Sequence, residues 1–319
     1  MEQPDIQALS PLRHSCLGCG GSCHGVRVRL FPDEVASIEN AAISLGVSDP
    51  IVDGRVRQDA GQCAFLDAHQ RCRIHANLGS ERKPRICKQY PIALVRTETE
   101  VRAGIDPGCY TAFQTWHTAP EIDVEAYGAA ESTFDAGAIR QEAALLRLLH
   151  APNASIPSLL RALCPGEPDA VGLPIGLRER WASRWENPAI AALLADAHTG
   201  PSLRRGIQPL LAASESWSPP PVSLPAGEAE AWALEVCKRM LYLRLLPNYP
   251  GQAVALMTLL GAVSAHWAGP AHFAPGLAAW VRALRAPAFW AAFVADPHQM
   301  MWLATGQSPP RARIESPEP

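Results

Sequence analysis

The hydrophobic pattern of the chain divides near residue 120. Before that point apolar positions come in short runs broken by Gly and Pro. Residues 26–31 (Val-Arg-Val-Arg-Leu-Phe) alternate apolar and polar, which predicts a short strand. Pro32 then opens a helix, and Asp33 and Glu34 suit its first turn. Val35, Ile38, Ala42 and Leu45 form the apolar stripe of that helix, and Gly46 is its stop. Residues 62–74 predict a hairpin around Asp67–Gln70, with Phe65 opposite Cys72 and Cys63 opposite Ile74. In that register Cys63 and Cys72 share a face as a diagonal pair, about 7–8 Å apart at the backbone. Pro84 opens a short helix that carries Cys87 and ends before Pro91. Residues 92–97 and 100–105 read as a further hairpin.

From about residue 120 the period is helical. Helices are expected over 136–149, 156–163, 174–197, 202–213, 228–246, 252–267, 275–284 and 287–295. Within 228–246 the stripe is Trp232, Val236, Met240 and Leu243. Ser216 to Pro225 is a Pro-rich loop or linker. The expected fold class is therefore mainly α: a small mixed α/β cysteine-rich N-terminal module with short hairpins over 1–118, then an all-helical domain over 119–307. The tail, 308–319, has four prolines and little apolar content and is expected to be disordered.

Composition narrows the function classes. A hydrophobic content of 48% and a charged content of 18% over 319 residues exclude a disordered chain. With 28 Lys and Arg against 31 Asp and Glu, nothing marks a general nucleic-acid binder. The most apolar stretch, 253–269, contains Thr258, Ser264 and His266 and falls short of the ~20 apolar residues a membrane span needs, so no span is expected. Met1 to His14 lacks a basic patch followed by an apolar run, so the reading is cytoplasmic.

The cysteines change the picture most. Seven of the nine precede residue 110: Cys16, Cys19, Cys23, Cys63, Cys72, Cys87 and Cys109. All nine Trp follow them. An odd count in a reducing compartment argues for metal-bound thiolates over a disulfide framework. The first block, Cys16-Leu-Gly-Cys19-Gly-Gly-Ser-Cys23-His24-Gly25, sets three thiols and an imidazole in a glycine-rich loop that wraps closely. Its N–H groups can point at thiolate or sulfide sulfurs, which suits Zn²⁺ or an iron–sulfur cluster. The later thiols are widely spaced, so a site using them must be assembled by the fold. Seven cysteines and His24 make eight candidate ligands, enough for one centre with supporting residues or for two four-coordinate sites.

Between residues 71 and 88, Arg71, Arg73, Arg82, Lys83, Arg85 and Lys88 stand against Glu81 alone. They form either a solvated face or a set of cations that offsets thiolate charge and grips an anionic ligand such as a carboxylate. Arg71, Arg73, Arg85 and Lys88 are the candidates for that cofactor contact. His75 and His14 are weaker ligand candidates. Tyr90 and Asp67 suit packing and turn formation. Cys164 and Cys237, in helical apolar context, read as small buried hydrophobes.

Residues 14–112 resemble the YkgJ-type cysteine-cluster family whose motif is written CxxCxxCC. Within that family the resemblance is closest to flagellin lysine-N-methylases. It is carried by Cys19-Gly-Gly-Ser-Cys23-His24, by Cys63-Ala-Phe65-Leu66-Asp67 and by Arg71-Cys72-Arg-Ile74. It continues through Leu78-Gly79, Lys83-Pro84-Arg85-Ile86-Cys87-Lys-Gln-Tyr90-Pro91 and Cys109. His24 stands where the family has the second cysteine of a doublet, a change histidine ligation can accommodate. The resemblance implies an iron–sulfur cluster of the 4Fe–4S kind, with zinc as the alternative metal. It also implies methyl transfer from S-adenosylmethionine to lysines of a flagellin-like protein substrate. No Gly-x-Gly-x-x-Gly follows a strand, so a Rossmann site for the methyl donor is not expected. The alternatives are a non-catalytic redox or metal-handling protein and a structural zinc module that presents the helical domain to a partner.

Overall fold

A computed structural model describes residues 6–21, 23–24, 28–59, 61–115, 117–122, 124, 128–186, 188–195, 201–215, 224–286, 289–290 and 303–304. The chain is mainly α, with a small strand-containing N-terminal region followed by helices. Two small apolar cores build that first region. One lies under a turn of 3₁₀ helix (Pro32–Glu34) and α1 (Val35–Leu45), where Ile38 and Ala42 bury against Val28, Leu30, Val56, Phe65 and Ile74. Gly46 ends α1 in the left-handed conformation (φ 62°), as its position predicts. Two-residue ladders, β2 (Ile51–Val52) with β3 (Arg55–Val56) and β4 (Gln58–Asp59) with β5 (Gln62–Cys63), cross this core.

The other core lies on a four-stranded sheet ordered β1-β7-β6-β8. The expected hairpin is β6 (Ile92–Arg96) and β7 (Val101–Ile105), antiparallel with Leu94 opposite Ala103. β1 (Ile6–Ala8) runs parallel to β7, and β8 (Ala130–Glu131) runs parallel to β6. Three short helices complete the region: α2 (Arg73–Leu78), α3 (Arg85–Gln89) and α4 (Ala112–Thr115).

The helices that follow are α5 (Ala136–Leu149), α6 (Ile156–Leu163), α7 (Leu177–Trp185), α8 (Pro188–Ala195), α9 (Pro201–Glu215), α10 (Glu228–Tyr242), α11 (Gly251–Trp267) and α12 (Pro270–Leu284). The starts of α5 and α6 are chemically explicit. Asp135 accepts from the N–H groups of Gly137 and Ala138, and Ser155 accepts from Ser158 N–H. In α11 every residue from Ala253 to Ala265 is buried, so the most apolar stretch is a core helix. No described helix is long and apolar enough to cross a membrane. The sheet abuts the helices directly. A Cβ on Gly104 of β7 would lie 2.9 Å from Leu243 Cδ1, and Arg239 of α10 donates to the Ile105 carbonyl at 3.3 Å.

Four expectations are corrected. In the 26–31 segment, residues 26 and 27 lie outside the described residues, and only Arg29 pairs, as an isolated bridge to Arg55. In the 62–74 segment, Leu66 rather than Phe65 pairs with Cys72, and Arg73 begins α2. Asp67, whose side chain accepts from His69 N–H and Arg71 N–H, organises a loop one residue longer than expected. Phe65 is nevertheless buried at 1% exposure and lines the same cavity as Cys63 and Cys72. The 174–197 helix is divided into α7 and α8, and Pro188, with no N–H to continue the first helix, opens the second. The 275–284 helix starts five residues earlier, with Pro270 at its first position and Pro275 inside it. Of 287–295, only residues 289 and 290 are described, and the 308–319 tail lies outside the described residues.

Candidate metal centre

The first cysteine block folds as a loop that only glycine allows. Gly18 and Gly20 adopt φ of 65° and 66°. A Cβ on Gly20 would fall 1.7 Å from the Gln70 carbonyl oxygen. That close approach docks the block on the Asp67–Gln70 turn. Backbone bonds secure it: Cys23 N–H donates to Gly20 O at 2.8 Å, Cys63 N–H to Cys23 O at 3.2 Å, and Cys72 N–H to Gly18 O at 3.3 Å. Cys63 ends β5, Cys72 caps α2, Cys87 sits mid-way along α3, and Cys109 follows β7 in a turn.

These elements bring all seven N-terminal cysteines to the wall of one cavity of about 120 Å³. His14, Lys83, Tyr90 and Thr111 share the wall with apolar side chains that include Val28, Phe65 and Ile86. Cys16 and Cys19 are exposed, Cys109 is buried, and the other four are intermediate. All nine cysteines are free thiols. No three His, Cys, Asp or Glu side chains among the described residues are drawn together tightly enough for a lone metal ion. The thiols instead surround a space.

The electrostatics disfavour bare thiolates in that space. Burial pushes the Cys23 thiol well above its ordinary value, and the neighbouring Cys63, Cys72 and Cys87 push it further. Burial raises Cys63 to about 11 and Cys87 to about 12, with Cys72 adding to both. Cys109 is raised to about 11 by burial, against lowering contacts from the Thr111 hydroxyl and Ala112 N–H. Lys83 provides an opposing charge, its ammonium 3.4 Å from Cys16 Sγ. Burial works against that charge, but Cys16, Cys72 and Cys87 outweigh it and hold the ammonium above its usual value. His14, bonded to Thr115 at 3.1 Å, is lowered to about 4 by burial and by Lys83. A donor set of soft sulfurs whose charges raise one another fits a metal cation that replaces their protons.

The other candidates sit apart from the cavity. His24 is 7% exposed, pairs through its backbone with Gln62, and does not border the cavity. The His75 ring packs over Gly18. Of the four cations expected to grip a cofactor, Arg71 pairs with Asp67 at 3.0 Å and Arg73 donates to the Leu45 carbonyl. Arg85 pairs with Asp33 and stacks over Phe31 at 5.0 Å. None of those three, nor Lys88, lines the cavity, whereas Lys83 of the same run does. Thr111 carries no spacing signal in the sequence. The signal available for Lys83 is its place one residue before Pro84, which opens the helix of Cys87. Cys164 and Cys237 are fully buried in the helical core, as their context predicts.

Seven thiols bordering one cavity make this region a cysteine-cluster module. Residues 15–110 match the model of the CxxCxxCC family, described as "Putative zinc- or iron-chelating domain". No curated protein and no solved structure matches the chain.

Proposed function

We propose that this module holds an iron–sulfur cluster in the thiol-lined cavity. The observation that carries the reading is the size of the shared space. A structural zinc closes four ligands around one ion at Zn–S distances of about 2.3 Å. A cavity needs only roughly 10–15 Å³ to hold a water. A space of about 120 Å³ bordered by seven thiols exceeds what one ion fills and suits a polynuclear centre. Four of the seven thiols supply the thiolates of a 4Fe–4S centre; Cys23, Cys63, Cys72 and Cys87 act on one another's charges, and Cys16, Cys19 and Cys109 border the same space. Such a centre supplies one-electron chemistry, or an iron position able to take a ligand's amino and carboxylate groups.

Anaerobic purification followed by iron, sulfide and zinc analysis tests the reading. The expected result is a brown protein with iron and acid-labile sulfide in equal amounts. Cys19→Ala and Cys23→Ala should abolish that content, and Cys164→Ala and Cys237→Ala should keep it. A colourless protein with stoichiometric zinc, or full occupancy in Cys19→Ala and Cys23→Ala, overturns it. The resemblance to flagellin lysine-N-methylases extends the reading to methyl transfer from S-adenosylmethionine to protein lysines. Incubating the iron-loaded protein with labelled S-adenosylmethionine and flagellin tests that extension. Absence of both cofactor binding and label incorporation leaves a redox or metal-handling module.

A further inference from the structure

Cys109 reaches the cavity from a different part of the fold than its partners. Cys63, Cys72 and Cys87 pack against the α1 core, whereas Cys109 belongs to the core of the sheet. It ends the turn Asp106-Pro107-Gly108-Cys109, in which Cys109 N–H donates to Asp106 O at 3.1 Å and Gly108 N–H donates to Asp106 Oδ1 at 2.7 Å. Two arginines at the end of α12 grip this turn. Both terminal nitrogens of Arg285 donate to the Asp106 carboxylate, at 2.5 and 2.6 Å. Arg282 Nη1 donates to the Gly108 carbonyl at 2.6 Å. The packing leaves no slack, because a Cβ on Gly108 would meet Arg282 Cγ at 3.1 Å.

The anchoring helix is itself fixed. Trp280, Val281 and Leu284 of α12 are fully buried in the helical core. A two-pronged guanidinium contact sets the plane of the carboxylate as well as its position, which an ammonium cannot do. Arg282 also lies within electrostatic reach of Cys109, Cys19 and Tyr90. Its charge therefore falls on the cavity wall that Lys83 does not serve, since Lys83 acts on Cys16, Cys72 and Cys87.

We propose that Arg282 and Arg285 are positioning residues of the metal centre. Arg285 holds the Cys109 turn through Asp106, and Arg282 fixes Gly108 while lending positive charge to the Cys109 side. The helical region is thereby a structural part of the site. This inference rests on the metal-centre reading of the cavity. It reaches beyond that reading by placing two determinants of the centre more than 170 positions from the turn they hold.

The test uses the full chain, purified anaerobically as wild type, Arg285→Lys, Arg285→Ala and Arg282→Gln. Arg178→Ala, which breaks an ion pair with Asp169 away from the cavity, controls for general destabilisation. Metal content per folded chain, visible circular dichroism and reduction potential are read for each. Arg285→Ala should weaken metal retention roughly 10- to 100-fold, the range for groups that orient ligands, and Arg285→Lys should restore only part of it. Arg282→Gln should keep the metal, alter the dichroism and move the potential to more negative values, because a cation near the centre favours the extra electron. If Arg285→Ala fails to fold, Arg285→Lys and Arg282→Gln decide. If the wild type loads zinc, the visible spectrum of the cobalt-substituted protein takes the place of the potential. A loaded wild type with Arg282→Gln and Arg285→Lys indistinguishable from it, or changed only as Arg178→Ala is, overturns the inference. A wild type that binds no metal overturns the proposed function first, and is seen before any variant is read.

Discussion

Gly261→Ala separates local propensity from packing in the helical region. Gly261 lies inside α11, and an Ala there gains about 1 kcal/mol in helix propensity. Packing opposes it. The new methyl would stand 2.1 Å from both Cδ1 and Nε1 of Trp280 and 2.7 Å from Cε2. Carbon atoms in contact prefer about 3.5–4.0 Å, so the indole would have to retreat by more than an ångström. It has nowhere to go. Trp280 is fully buried, edge-on to Trp181 at 5.6 Å and to Phe289 at 5.7 Å, with Trp185 at 5.4 Å. Its Nε1–H donates to the Met257 carbonyl at 2.9 Å, and retreat breaks that bond. Overpacking costs roughly 1–3 kcal/mol and an orphaned buried donor roughly 1–3 kcal/mol more. Set against the propensity gain, the net loss is about 3 kcal/mol. Urea unfolding followed by tryptophan fluorescence measures it. Metal content per folded chain should not change, because neither residue borders the cavity. Equal or greater stability than wild type would refute the packing argument.

The cysteine loop and the ion pairs give two further predictions. Gly20→Ala should lose metal as fully as Cys19→Ala, since the left-handed backbone alone costs about 1–2 kcal/mol and the methyl meets the Gln70 carbonyl; full metal occupancy would contradict the docking of that loop. Glu98 is held at about 2 by its bonds to Arg244, at 2.9 Å from each oxygen, and by Phe134 N–H. Its folded value lies below its unfolded one of about 4.3, so its contribution is complete above that pH and is lost as pH falls towards 2. Thermal unfolding midpoints should drop across that window in wild type and drop less in Glu98→Gln. Parallel pH slopes would show that the pair contributes nothing.

Much of the scaffold was legible because its signals are local. The 92–105 hairpin and the helical periods of 136–149 and 156–163 are each expressed by near neighbours in the chain. The register of 62–74 was less legible. Whether Phe65 or Leu66 faces Cys72 depends on how the Asp67 carboxylate closes the loop, and both choices satisfy an apolar count. The long reading of 174–197 failed at Pro188 for a reason present in the sequence, a missing N–H. The cation run from Arg71 to Lys88 shows the opposite limit. Its composition is plain, but which member faces the thiols depends on partners such as Asp33, Asp67 and Leu45, which draw three of them elsewhere.

Sequence alone determined the inventory of soft donors: seven thiols in the first 109 residues, two more in apolar helical context beyond them, and a helical remainder. Those properties reside in residue type and in periods of two and 3.6, which neighbours along the chain suffice to express. Only the tertiary structure decided that the seven thiols meet at one cavity, that Lys83 faces them while His24 does not, and that Arg282 and Arg285 hold Cys109 in place. Such contacts join residues from 67 to 179 positions apart. They follow from the packing of whole elements against one another, which no local pattern specifies.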